Sequence, residues 1–117
     1  MNIGCDIEDI SRFNNKTLEK DEKFLNRIFT KNELDYCFSK KDPAPYLCAR
    51  FCAKEATIKA LGGFYQKFIS YNEIEILKKE NGAPYINILI DELKKHKFNL
   101  TLSHEKEKAI AFVIIEK

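Results

Sequence analysis

The segment from Tyr46 to Leu61 limits the fold more than any other part of the chain, because it has helical character and no continuous polar face. At about 100° per residue, Leu47, Cys48, Ala49, Phe51, Cys52, Ala53, Ala56, Ile58, Ala60 and Leu61 cover nearly the whole circumference. Such a helix lies inside a domain, with other elements packed on several sides. Pro43 and Pro45 mark its entry and Gly62-Gly63 its end. It nevertheless carries Arg50 and Lys54 on one stripe and Glu55 and Lys59 on another. A charge in apolar surroundings is costly unless it is paired or holds an ion or ligand. On this helix alone, an ordinary Glu55–Lys59 pair one turn apart and a functional site weigh evenly.

The rest of the pattern supplies what covers that helix. Ile3, Cys5 and Ile7 alternate with Gly4 and Asp6, which predicts a first strand with its apolar side buried and Asp6 on the other side. Leu18 to Phe29 has roughly helical spacing, and Thr30-Lys31-Asn32-Glu33 is a capping box that starts a second helix running to about Ser39. After Gly63 the period shortens. Ile74 and Ile76 alternate with Glu73 and Glu75, Glu80-Asn81-Gly82 is a hairpin turn, and Tyr85 to Ile90 returns. Asp91 to His96 reads as a short helix or turn. Phe98 to Ser103 and Ala109 to Ile115 read as two further strands joined by a charged tip, His104 to Lys108. The expectation is an α+β fold in one domain, residues 1–117, with helices packed on an antiparallel sheet.

The 117 residues hold 20 Lys+Arg and 18 Asp+Glu, a net charge of +2, which argues against nucleic-acid binding through bulk charge. A membrane span is not expected, since the longest apolar run is Ala109 to Ile115; the start lacks the pattern of a signal peptide, so the cytoplasm is the expected location. Cys5, Cys37, Cys48 and Cys52 lack zinc-knuckle spacing, although Cys48 and Cys52 lie one helical turn apart and would supply half a metal site. Small buried hydrophobes are the commoner role for such cysteines. There is no Walker A, Gly-x-Gly-x-x-Gly or Gly-x-Ser-x-Gly motif, and four glycines leave side chains as the principal holders of any phosphate.

Asp6 and Glu55 are the carboxylates to consider together. A strand carboxylate and a buried-helix carboxylate suit a hard divalent cation, and Mg²⁺ commonly takes one or two protein carboxylates with water and phosphate oxygens filling the remaining positions. Glu8 and Asp9 read as solvated loop residues. His104, at the end of an alternating strand, reads as a surface or hydrogen-bonded residue, and Asn81-Gly82-Ala83-Pro84 as a turn. Arg12, Lys16, Lys20, Lys23, Arg27 and Lys31 recur at spacings of 4, 4, 3, 4 and 4. They read either as a solvated face diluted by Glu19, Asp21 and Glu22 or as a basic surface for an acidic protein.

Taken in order, Gly4-Cys5-Asp6 with Arg12-Phe13, Phe29 to Leu34, Arg50 to Ala56, Asn81 to Tyr85 and Leu102-Ser103-His104 resemble the holo-acyl-carrier-protein synthase family, and the blocks cover nearly the entire chain. The resemblance implies the 4′-phosphopantetheinyl transferase fold and transfer of the phosphopantetheine arm of coenzyme A to a serine of apo acyl carrier protein. It implies Asp6 and Glu55 as Mg²⁺ ligands, Lys59 at the pyrophosphate, and Arg50 and His104 near the 3′-phosphate. Asn81, Gly82 and Pro84 would border the adenosine, with Lys54 ranked lower among the coenzyme-binding residues. Asp6, Glu55 and Lys59 form the implied catalytic set, and Asp35 is a further side chain to test as proton acceptor. Arg12, Lys23, Phe24 and Arg27 align with the carrier-docking face, and the family works as a homotrimer with sites between subunits.

Three positions depart from the family pattern. Gly62-Gly63-Phe64-Tyr65 stands where Gly-Thr-Gly is frequent, Glu105 where a small hydroxyl residue is common, and Ala83 where lysine often stands. The competing readings are a non-catalytic basic module for an acidic partner, a small RNA-binding domain, and a transferase specialised for polyketide or peptide carriers.

Overall fold

The Pro43 entry and the Gly62-Gly63 stop bound a single helix, α3 (Ala44–Leu61), of 18 residues. Proline fits the first helical turn, so the helix starts two residues before Tyr46. In the computed structural model, which describes residues 1–117, 13 of the 18 residues of α3 are buried. Its flanks are covered by a three-stranded antiparallel sheet of β1 (Asn2–Asp9), β5 (Lys108–Glu116) and β4 (Lys97–His104), in that order. Between α3 and β4, β2 (Ile74–Lys78) and β3 (Pro84–Ile88) form a separate antiparallel hairpin. Helices α1 (Glu22–Ile28) and α2 (Lys31–Phe38) precede α3.

The capping box forms as the sequence requires: Thr30 Oγ1 accepts from the Glu33 amide, and the Glu33 carboxylate accepts from the Thr30 amide at 2.8 Å. Helix α1 is shorter than its spacing suggested. Asp21 accepts from the Thr17 amide and Thr17 accepts from the Lys20 amide, so residues 17–20 are held in a turn and Leu18 is exposed. The stripe from Arg12 to Lys31 therefore does not lie on one helical face.

The first strand is inverted relative to expectation. Ile3 and Ile7 are 69% and 59% exposed, whereas Gly4 is buried and Asp6 and Glu8 share its side, toward α3. The reason is the closeness of strand and helix: a Cβ added at Gly4 would lie 1.9 Å from the Ala56 carbonyl oxygen. A glycine must face α3 there, and period two then turns the isoleucines outward. Ala53, Ala56 and Ala60 on α3 and Ala109 and Ala111 on β5 are buried small residues that permit this approach. The outer face of the sheet leaves Ile3, Ile7, Phe112 and Ile114 uncovered.

Helix α3 contributes to two apolar clusters. One gathers Phe13, Phe29 and Phe51, with ring centroids of Phe13 6.0 and 5.7 Å from the other two. The other joins α3 to Ile74 and Ile76 of the hairpin and Val113 and Ile115 of the sheet.

Candidate active site

With Gly4 seated on the helix, Asp6 two residues on also faces α3. Its side chain is 9% exposed, and Oδ1 accepts from Lys59 Nζ at 2.9 Å. Lys59 also donates to the Cys5 carbonyl at 3.1 Å. The Glu55–Lys59 pair considered from sequence does not form; Lys59 reaches to the strand instead. Asp6 Oδ2 is buried with no hydrogen-bond partner. Burial pushes the Asp6 carboxyl up, but the neighbouring Glu8 and Lys59 side chains more than offset this and hold it below the usual range. Lys59 is held above its ordinary value, first by its bond to Asp6.

Glu8 corrects the sequence reading. It belongs to β1, and its position two residues after Asp6 places it on the same side, 14% exposed, with Oε1 2.7 Å from Arg12 Nη1. Burial and the neighbouring Asp6 push its carboxyl up to about 7. Asp9 remains an exposed residue, paired with Lys108.

A pH dependence follows for Glu8. Its ordinary value is 4.5, so between pH 4.5 and about 7 the folded chain binds more protons than the unfolded one. The stabilisation is present below this window and lost as pH rises through about 7. In metal-free buffer, the stability drop attributable to this group should be about 1 kcal/mol, discounted for solvent screening, and Glu8→Gln should flatten it. Urea midpoints measured from pH 5 to 8 check this; a profile unaltered by Glu8→Gln would refute it.

Glu55 is half-buried on α3. Burial, and then the nearby Glu55 carboxylate, push the Tyr71 phenol up. No three His, Cys, Asp or Glu side chains are gathered closely enough to hold a metal by themselves. Asp6, with one oxygen unpartnered, fits an ion needing only one or two protein carboxylates, and Glu55, one helical turn before Lys59 on α3, is the second carboxylate to consider. Cys48 and Cys52 are buried, Cys52 Sγ lies 3.0 Å from the Asp6 carbonyl oxygen, and burial raises both thiols, Cys48 to about 12. Their environment is that of core residues, against the half metal site.

A second feature is a cleft of about 180 Å³ that brings together Arg50 from α3, Gly82 and Pro84 from the β2–β3 turn and start of β3, and His104 from β4. Gly82 sits at φ 90°, a conformation open to glycine, and Asn81 stabilises the turn by accepting from the Ala83 amide at 3.0 Å. Asn81 thus shapes the turn without lining the cleft. Arg50 is only 5% exposed; Nη1 donates to the Tyr46 carbonyl at 3.4 Å, the guanidinium lies 4.3 Å from the Tyr36 ring centroid, and Nε has no partner. Glu105 faces the hairpin backbone, accepting from the Glu107 and Lys108 amides at 2.8 and 2.7 Å.

Lys54 does not belong to this site, contrary to the sequence expectation. It is fully buried, and its ammonium donates to the carbonyls of Tyr71 and Ile74 at 2.9 and 2.6 Å and pairs with Glu33 at 2.8 Å. All three of its protons are thereby directed to protein acceptors. Asp35 is 62% exposed and paired with Lys31. Of the docking candidates, Lys23 and Arg27 are exposed on α1, and Phe24 is half-buried, 6.2 Å from Phe13. Arg12 is exposed but tied back to Glu8 and lies 5.0 Å from the Phe51 ring centroid. Tyr36, which also lines the cleft, and Tyr71, beside Glu55, carry no local sequence motif, whereas period two from Asp6 is the available signal for Glu8.

A model of the 4′-phosphopantetheinyl transferase superfamily matches residues 2–113. The holo-[acyl-carrier-protein] synthase of Protochlamydia amoebophila is 42% identical over 117 residues, covering 97% of this chain and 96% of its own. That of Thermodesulfovibrio yellowstonii is 43% identical over 114 residues, with coverages of 97% and 96%. Among solved structures, a holo-(acyl-carrier-protein) synthase from Bacillus anthracis in complex with CoA (3′,5′-ADP) superposes with TM-score 0.79 at 32% identity, covering 97% of this chain and 94% of its own. The Helicobacter pylori holo-[acyl-carrier-protein] synthase in complex with coenzyme A gives 0.81 at 30% identity, with coverages of 97% and 99%. Matched along almost its whole length in both sequence and fold, the chain belongs to the holo-acyl-carrier-protein synthase family of the 4′-phosphopantetheinyl transferase superfamily.

Proposed function

We propose that this chain, as one transferase domain over residues 1–117, moves the 4′-phosphopantetheine group from coenzyme A to a serine of apo acyl carrier protein. The products are holo acyl carrier protein and adenosine 3′,5′-bisphosphate, and the setting is fatty acid biosynthesis in the cytoplasm. The observation that carries the chemistry is Asp6, a buried carboxylate with one oxygen on Lys59 and the other without a partner.

In the reaction the serine oxygen forms a bond to the β-phosphorus as the bond to the departing nucleotide oxygen breaks. The pyrophosphate is negative and repels the nucleophile, so the protein's task is to place positive charge against it. Lys59, exposed at the end of its stem and kept protonated by Asp6, supplies one such charge. Asp6 and Glu55 would hold Mg²⁺, which when bound supplies further neutralisation of the pyrophosphate oxygens. Arg50 and His104 face the cleft that would take the 3′-phosphate, beside the Gly82–Pro84 wall for the adenosine.

A homotrimer accounts for the uncovered sheet face. Ile3, Ile7, Phe112 and Ile114 form an outward apolar surface, and a cleft containing Ile7, His104 and Ile110 lies where that face approaches the β4–β5 tip. Sites between subunits would draw on both. Arg12, Lys23, Phe24 and Arg27 would receive the acidic carrier; Lys23 and Arg27 enter no ion pair and keep their charge available. No nucleic-acid or membrane partner is part of this reading, and no helix is long and apolar enough to cross a membrane.

Intact-mass spectrometry of an apo acyl carrier protein incubated with this protein, coenzyme A and Mg²⁺ tests the reaction. The expected result is a gain of one phosphopantetheine arm, lost with EDTA. No gain with several carriers would favour the non-catalytic basic module.

A further inference from the structure

We propose that Tyr36 and Lys78 act as a specificity pair for the coenzyme, recognising its 3′-phosphate together with Arg50. This rests on the coenzyme A reading above and assigns work to two residues outside the sequence-derived site.

The pair is built from separate elements. Tyr36 is on α2 and Lys78 ends β2, opposite Pro84 across the hairpin; both line the cleft that contains Arg50 and His104. Lys78 Nζ donates to the Tyr36 hydroxyl at 2.9 Å. The hydroxyl oxygen is therefore an acceptor for lysine, while its own proton stays available for donation to a ligand.

The charge around this tyrosine is uncompensated. Arg50, Lys40 and Lys78 lie 4.3, 4.8 and 5.3 Å from its ring centroid, and none of the three enters an ion pair with a carboxylate. The tyrosine responds: burial would raise its phenol, yet Lys78, and then Lys40 and Arg50, bring it below its usual value. Arg50 adds a buried Nε with no partner. A lysine ammonium, a tyrosine hydroxyl and a guanidinium thus offer donors without an opposing carboxylate, which suits a phosphate monoester with its several acceptor oxygens. Pro45, Pro84 and Leu102 give the same cleft apolar walls, which suit the flat base of a nucleotide and distinguish it from a site for a bare anion.

The test is equilibrium binding by calorimetry, without turnover, using coenzyme A, dephospho-coenzyme A, adenosine 3′,5′-bisphosphate and inorganic phosphate. Lys78→Met should weaken coenzyme A and the bisphosphate by about tenfold, a loss typical of one charged hydrogen bond, and leave dephospho-coenzyme A within about twofold. Tyr36→Phe should show the same selectivity with a smaller loss. Equal weakening of both coenzymes, or no weakening of either, would overturn the assignment, as would inorganic phosphate binding as tightly as the bisphosphate. A wild-type protein that binds neither coenzyme would overturn the functional reading itself. Wild-type binding of coenzyme A without the selective loss in the variants would overturn the Tyr36–Lys78 proposal alone.

Discussion

Replacing Lys54 with alanine should lower the unfolding free energy by about 3–5 kcal/mol, the range for breaking a buried ion pair by removing one partner. Lys54 and Glu33 are each fully enclosed at the side chain. The burial cost of the ammonium pushes the Lys54 value down, and Glu33 acts against that. Removing the lysine leaves the Glu33 carboxylate with its bonds to the Thr30 and Ile76 amides but without a counter-charge, and leaves the carbonyls of Tyr71 and Ile74 short of a donor. A cavity is added in place of the stem. Lys54→Met keeps most of the volume, so it should recover the cavity part only, and adding Glu33→Gln to it should recover a further part by removing the stranded charge. Urea denaturation at fixed protomer concentration measures all three variants. A loss below about 1 kcal/mol for Lys54→Ala would show that the pair is not a stabilising core element.

Asp6→Asn should reduce transfer to the carrier protein by about 10²–10³-fold while leaving the fold intact, since the side-chain shape is kept and the charge is lost. The variant removes the anion that holds Lys59 and one of the two proposed metal ligands. Glu55→Gln should give a similar fall without releasing Lys59, which is bonded to the strand. Initial rates of arm transfer followed by intact mass, with circular dichroism to check folding, decide the matter. Asp6→Asn activity within about threefold of wild type would remove Asp6 from the proposed chemistry.

The contrast between these two lysines shows what the chain made readable. Helix α3, the Thr30–Glu33 box, the Asn81–Gly82 turn and the β4–β5 pair depend on neighbours close in sequence, and each appears where local chemistry requires it. The direction of β1 depends on a backbone contact between Gly4 and Ala56, which alternation alone does not contain. Polar Asp6 and Glu8 pack inward while Ile3 and Ile7 face out, so the usual equation of apolar with buried selects the wrong face. Lys54 and Lys59 lie on one helix five residues apart, and their fates are set by Glu33 and Asp6, each distant in sequence. Arg50, Gly82, Pro84 and His104 come from distant parts of the chain and line one cleft, and the place of Tyr36 in it required the fold.

The contact at Gly4 also bears on how a chain of this kind can diversify. Strand and helix touch through backbone, so the offset between the Asp6 strand and the Lys59 helix is fixed by a hard stop that side-chain repacking cannot adjust. Core substitutions that leave Gly4 and the small residues Ala53, Ala56, Ala60, Ala109 and Ala111 in place can accumulate without altering that alignment. The freedom to acquire a different acceptor or donor lies in segments that do not bear on the stop: the α1 surface, the loop after Gly63 and the Lys79–Ala83 turn. The seam thus separates an inheritable reaction geometry from an adjustable choice of what is brought to it.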